Sequence, residues 1–532
     1  MTALNSLTIA DLIIIGIYFI FIVLVGIHYR KSKDAESYFL AGRSMTWPII
    51  GFSMFATSIS SSTLIGHSGD AYSTGIAVFN YNLISIVVMV FFAWFFLPFY
   101  IKSRIFTLPE FLERRFDAKS RYYFSTITIL INIFLDAAGG LYAAALVIKL
   151  LFPEVPVSTL VIGFAIMVAI YTIPGGLSSA IRVDLIQGVL LIIGSIVLTA
   201  IVSMKGGAGY IADQINQNSV MMKLVRPMND SSVPWLGMIV GIPVLGFFFW
   251  GNNQSLVQRA LAAKSIDEGR KGVLLVGLLT LLTLFVIIIP GVMAKNFFPG
   301  LEKPDMVYPS LVIKMLPSGL VGLLLAALIA ALTSTLSGLL NSVATLFTMD
   351  FYVPIKKDVS SKEMVKVGRI VSSIALIIAV WWAPQIGTRF SSLLKYYQEM
   401  LSMMAPPIVA SFILGVFWKR ANSTGNFAGL MAGAALGLCN LIVKTTTGVS
   451  VFGGMHFLLT VPIYLLFSMM VMFFVSIFTK RPDFEKIKPY VWTREDFRKE
   501  TLELKGIPFY KNYRTLSFLL LGLCALVLIL FW

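Results

Sequence analysis

Seven of the eleven residues from Ser53 to Thr63 are serine or threonine, and they sit inside an apolar run of membrane-spanning length, WPIIGFSMFATSISSSTLIGHSGDAY at residues 47–72. Hydroxyls at that density do not face lipid, so they face protein, water or an ion. A second stretch, LIAALTSTLSGLLNSVATLFTMDFY at residues 328–352, brings Ala331, Ser334 and Thr335 within five residues and sets Ser334 and Ser337 on one helix face. A sodium ion leaving water needs about five or six oxygens, and unwound-helix carbonyls with Ser or Thr hydroxyls supply them without a full counter-charge. The bland alternative is that these hydroxyls bond back to helix carbonyls or hold helices together. An apolar helix interrupted by a polar break is also the hallmark of a midplane transport site.

The elements that must position these groups follow from composition. The 532 residues are 57% apolar and 13% charged, with a mean hydropathy of +0.85. Apolar runs repeatedly exceed the roughly 18 to 20 residues that cross a bilayer. Fourteen spans are expected, from residues 9–29 and 47–72 through to 452–479 and 515–531, giving an all-α polytopic membrane protein. Cys439 and Cys524 both fall within spans, which supports neither a disulfide framework nor a thiolate metal site.

A net charge of +16 invites a nucleic-acid reading, but its distribution speaks for membrane orientation. Alternate loops place roughly 32 of the 42 Lys and Arg on one side, which is then cytoplasmic. An even number of spans puts both termini outside, in a cell or inner membrane. No loop is long enough for a folded nucleic-acid module. The chain has no GxxxxGK[ST] phosphate loop and no HExxH pair, and its three histidines are scattered at 28, 67 and 456. Phosphoryl transfer and zinc chemistry therefore find no support, and no enzyme activity is expected. A channel differs from a carrier in lacking two exclusive gates, which saturable, sodium-dependent uptake separates.

With the first span set aside, the next ten divide into two groups of five, residues 47–204 and 233–417. Five spans per group force opposite orientations in the membrane. Both groups open with a Gly-interrupted polar helix, FATSISSSTLIGHSG and PVLGFFFWGNNQS. Residues 1–46 then form an extra helix and a cytoplasmic loop, 205–232 an external loop, and 418–532 three terminal helices.

Several ordered blocks carry a resemblance. ESYFLAGRSMTWPIIGFSMFATSISSSTLIG, IFTLPEFLERRFD, YTIPGGLSSAIRVDLIQG, FFFWGNNQSLVQRALAAKSIDEGRKG and LNSVATLFTMDFY are similar to characteristic runs of the sodium/solute symporter family, close to its sodium/sugar cotransporter branch, over about residues 36 to 420. The resemblance implies a leucine-transporter-like 5+5 inverted repeat, alternating access and Na+ as the coupling ion. Its partner is a small-molecule solute, a sugar or related polyhydroxylated compound; a sialic acid or other organic anion is the alternative.

Carried over position by position, the resemblance implies a main sodium site made by the carbonyls of Ala56, Ile59 and Ala331 and the hydroxyls of Ser334 and Thr335. A second sodium site is implied at Asp184, Ser334 and Ser337, although Gly338 stands where a further serine would contribute. For Asp184 in IRVDLIQ the residues alone suggest a carboxylate at a membrane boundary, capping a helix or paired with Arg182. The implied substrate positions are Thr63, Asn82, Ser85, Thr280, Gln398 and Glu399, with Tyr81 and Phe249 as gates. Thr57, Ser58, Ser60 and Thr63 resemble a carboxylate-binding hydroxyl cluster of sialic-acid carriers, yet the guanidinium that an anion wants is replaced by Leu135. Asp136, nearly mid-span in IFLDAAGGLYAAAL, resembles vertebrate glucose and inositol carriers and either accepts solute hydroxyls or locks helices together. His67 reads more simply as a packed, hydrogen-bonded residue.

Overall fold

The computed structural model describes residues 7–28, 34–59, 62–151, 154–301, 304–356, 358–389 and 393–532. The apolar runs become helices because only a helix satisfies its own backbone inside lipid, and among the described residues there are isolated bridges but no strand. Among the described residues twelve helices are long and apolar enough to cross a membrane, the bent pair Trp47–Ser58 and Thr63–Thr74 makes another span, and Ile9–Val25 is a shorter apolar helix. These correspond one for one to the fourteen expected spans. The largest shift is in the sixth, which begins at Gly176 rather than near 183 and runs to Asn216.

The helices that frame the site are α1 (Ile9–His28), α2 (Trp47–Ser58), α3 (Asn80–Phe95), α4 (Ala138–Leu151), α5 (Val157–Val202), α6 (Ile242–Phe247), α7 (Gln254–Leu261), α8 (Ile266–Thr283), α9 (Leu320–Phe347), α10 (Ser361–Arg389) and α11 (Leu393–Phe417). Helix α2 packs on α5, α8 and α9, and α9 packs on α5 and α10. The 46 residues of α5 are too many for one crossing. The helix breaks at Gly176 (φ 59°, ψ −155°), two residues after Pro174. A Cβ on Gly176 would come within 2.5 Å of the Tyr38 ring, so glycine serves both the backbone and the packing.

Carboxylates, by hydrogen bonds and ion pairs, tie the ends of the bundle. Asp11 accepts the backbone N–H groups of Gly319 (2.8 Å) and Gly322 (2.7 Å), which fixes α1 to the N-terminus of α9. Asp350, just beyond α9, is fully buried and accepts from Thr107 (2.6 Å), Ser125 (2.5 Å) and Arg121 (2.9 Å). On the short helix Arg494–Glu503, before the last helix α12 (Tyr513–Leu530), Glu500 bonds Arg270 at the start of α8 together with Arg514 and the Tyr513 hydroxyl.

Candidate transport site

Helix α2 ends at Ser58, Ile59 leaves the helical region (φ −80°, ψ 76°), and the chain resumes as a π-helical turn over Ser62–His67. The axes before and after this break differ by 67°. The second break has a similar plan: α6 is followed by a π-helical turn over Phe248–Asn252, Asn253 is extended, and its side chain caps α7 by accepting from Ser255. Both polar interruptions expected from the sequence are present.

The break in α2 meets α9 directly. The Thr335 hydroxyl donates to the Thr57 carbonyl at 3.0 Å, and the Thr57 and Ser334 hydroxyls lie 3.4 Å apart. Each hydroxyl that gives its proton keeps lone pairs for a cation. Ala56 is buried on α2 beside them, and Ala331 lies one turn before Thr335 on α9. Ser58 behaves as the bland reading anticipated, donating back to the Phe55 carbonyl at 2.8 Å. Ser60 and the side chains of Ala331, Gln398 and Glu399 lie outside the described residues.

A cavity of about 180 Å³ opens beside this contact. Its walls include Ser58, Ile59, Thr63, Asn82, Ser85, Asp136, Thr280 and Thr335, with Tyr81 and Phe249 among its aromatics. The expected polar positions therefore converge. Asn82 donates to Thr283 at 2.9 Å, and Thr283 donates in turn to the Thr280 carbonyl at 2.6 Å. Tyr81 is shared with a larger cavity of about 660 Å³ lined by residues between helices such as Ser232, Gly453 and His456, so it partitions the two spaces.

Three details escaped the sequence. Tyr397 lines the cavity from α11 and its hydroxyl donates to Asp136, whose Oδ2 has no partner. His67 is not a satisfied core residue: it lines the cavity, its ring stacks 6.4 Å from Tyr81, and its Nδ1 is buried without a partner. The physical reason is that the 67° bend between Trp47–Ser58 and Thr63–Thr74 turns this segment toward the cavity rather than into a helix interface. Asp184, third, is neither a boundary cap nor the partner of Arg182. It is fully buried, Arg259 Nη2 bonds its Oδ2 at 2.7 Å, and Arg182 donates to the Ser178 carbonyl. Residues two apart on a helix point to different faces, which is why Arg182 does not reach it.

Residues 38–433 match the family model described as Sodium:solute symporter family. The chain belongs to the sodium:solute symporter family. Sodium/glucose cotransporter 1 of Oryctolagus cuniculus is 30% identical over 93% of this chain and 83% of its own length. The sodium/myo-inositol cotransporter of Mus musculus is 34% identical over 82% of this chain and 67% of its own length. Among solved structures, a substrate-bound, outward-open Na+-coupled sialic acid symporter superposes with a TM-score of 0.78 at 23% identity, covering 90% of this chain and 99% of that one. A nucleobase-cation-symport-1 family transporter in a closed conformation gives 0.54 at 13% identity. This symporter accordingly has a leucine-transporter-like fold, is a multi-pass membrane protein, and uses Na+ as its coupling ion.

Proposed function

We infer that this symporter imports a sugar or another neutral polyhydroxylated solute with Na+ by alternating access. One observation carries the choice of solute. The described residues lining the inner cavity include one carboxylate, Asp136, and no Lys or Arg. Sugar hydroxyls donate to such a carboxylate, and the flanking hydroxyl and amide groups complete pairs of bonds while aromatic rings cover the apolar ring faces. An organic anion would instead meet Asp136 with no guanidinium to offset it, Leu135 standing on the wall where one is wanted.

In this reading Na+ is held by the carbonyls of Ala56, Ile59 and Ala331 and the hydroxyls of Ser334 and Thr335. It pins the break of α2 against α9 and favours the outward-facing form. Solute then bridges the two broken helices, Tyr81 and Phe249 close the outer side, and rocking opens the inner one. Gln398 and Glu399, next after Tyr397 in sequence, are assigned to the solute as well. Residues 47–204 and 233–417 form the two inverted halves, the protein resides in a cell (inner) membrane, and both termini face outside.

The test is uptake into proteoliposomes of neutral sugars, polyols and sialic acid, with and without an inward sodium gradient. A neutral polyhydroxylated solute accumulating only with sodium is the expected result. Accumulation of sialic acid alone, or equal accumulation in potassium or choline medium, counts against the reading.

A further inference from the structure

Residues 505–511, KGIPFYK, are all exposed, and transport gives them no task. Two lysines bracket an apolar centre, and residues 504–513 include no Asp or Glu. On the preceding helix, Arg494–Glu503, Glu495 pairs with Lys499 at 2.9 Å, Asp496 accepts from Thr493, and Glu500 is taken up by Arg270 and Arg514. Of that helix's acidic side chains, Glu503 remains to offset the two lysines.

The segment is a built turn. The Ile507 N–H donates to the Leu504 carbonyl at 3.2 Å, and those of Lys511 and Asn512 donate to the Pro508 carbonyl at 2.9 and 3.1 Å. Phe509 and Tyr510 are held outward, 70% and 59% exposed, with ring centroids 5.7 Å apart, and the Lys511 ammonium lies 5.7 Å from the Tyr510 ring. The place of the turn is fixed by a clasp behind it. Arg270 Nε donates to the Ala93 carbonyl of α3 at 3.0 Å, Trp94 Nε1 donates to Ser517 of α12 at 2.9 Å, and the Arg514 guanidinium stands 4.2 Å from the Phe497 ring.

What covers the turn follows from its place in the chain. The membrane-crossing α12 begins at Tyr513 and presents Phe518, Leu519 and Leu523 outward. Phe509 and Tyr510 precede that span by four and three residues, so they carry its lipid-facing surface on to the bilayer edge. Aromatic rings at that height lie among lipid headgroups, and each lysine beside them enriches anionic lipid about fivefold. We propose that residues 505–511 are a docking surface for anionic phospholipid, with Phe509 and Tyr510 entering the headgroup layer and Lys505 and Lys511 holding the lipid phosphate. The surface serves whichever solute the symporter carries.

The full-length protein in phosphatidylcholine nanodiscs tests this, since both faces of the bilayer are then open. Phe509→Trp places a reporter on the turn, and subtracting the unaltered protein removes the signal of its nine native tryptophans. With one lipid in ten brominated, brominated phosphatidylglycerol is expected to quench the reporter about fivefold more than brominated phosphatidylcholine. Adding Lys505→Gln and Lys511→Gln is expected to bring the two lipids level. Equal quenching before those changes marks an ordinary aromatic anchor, and no quenching by either lipid means that water or a protein covers the turn; both results overturn the proposal. A phosphatidylglycerol preference that survives the two glutamines overturns it too. The unaltered protein gives a check that needs no variant. Tryptic cleavage after Lys505 and Lys511 is expected to be several times slower in phosphatidylglycerol nanodiscs than in phosphatidylcholine ones, and equal rates count against the docking surface.

Discussion

The Ser334 hydroxyl gives its proton to Asp184 at 2.6 Å and keeps its lone pairs for a cation, so one atom serves two neighbours. Ser334→Ala removes the proposed sodium ligand and leaves a buried carboxylate oxygen short of a donor, a loss of about 1–3 kcal/mol. The sodium concentration for half-maximal uptake is expected to rise about tenfold or more; an unchanged sodium activation curve would exclude Ser334 from the site. In the proposed cycle Asp136 serves the other passenger. Asp136→Asn keeps the size and a partner for Tyr397 but loses a charged acceptor for solute hydroxyls, about 1.5–3 kcal/mol. The expected outcome is a solute KM raised about tenfold to hundredfold with sodium activation kept, and initial-rate uptake checks both. Asp136 was legible in the sequence because a mid-span carboxylate is expensive and invites an explanation. Tyr397 was not, since an aromatic in a membrane chain is ordinarily packing, and only the fold sets its hydroxyl against Asp136. The Asp184–Arg259 pair was hidden for a related reason: its members are 75 residues apart, and the nearest basic residue in sequence faces elsewhere.

Hydrophobic run length alone located each span found among the described residues, because backbone satisfaction in lipid leaves a helix as the default. Polar interruption located both breaks. What run length could not supply was how far each helix extends past its apolar core: the part of α5 after its break starts at Gly176, which takes Asp184 from a boundary into the interior. The loop before α12 also carried no decisive signal, being simply rich in charge. In the structure Glu500 joins Arg270, Arg514 and Tyr513 and so straps this segment to the N-terminal ends of α8 and α12. Burial works to raise the Glu500 pKa, but the bonds from Arg270, Arg514 and Tyr513 outweigh it and hold the carboxyl below its ordinary value. A depressed carboxylate pKa adds stability that is complete above the unfolded value and is lost as pH falls through the folded one. The strap is therefore expected to stay closed through neutral and mildly acidic pH and to open only below the ordinary carboxylate range. Limited proteolysis between Tyr490 and Asn512 across that range reads the opening. Glu500→Gln should be cleaved readily even at neutral pH, and a Gln variant as resistant as the wild type would dismiss the strap.

At the scale of the whole molecule, the charge carried per cycle follows from what the cavity and the ion site hold. One Na+ moving inward across 100 mV releases about 2.3 kcal/mol, and a tenfold sodium gradient adds about 1.4 kcal/mol. With a neutral solute coupled one to one, both terms act and accumulation can reach about 500-fold. With a singly charged anion the cycle is electroneutral, the voltage term vanishes, and the same sodium gradient supports only about tenfold accumulation. The two solute classes weighed for this cavity are thus separable by voltage before the solute's structure is known in detail. Imposing an inside-negative potential with potassium and valinomycin, at fixed sodium, is expected to raise the steady-state solute ratio of proteoliposomes by about tenfold for every 60 mV. A ratio indifferent to voltage under one-to-one coupling would mean that the passenger brings a negative charge of its own. In that case a basic group outside the described lining would have to offset Asp136, and the neutral-solute assignment would give way to the anionic one.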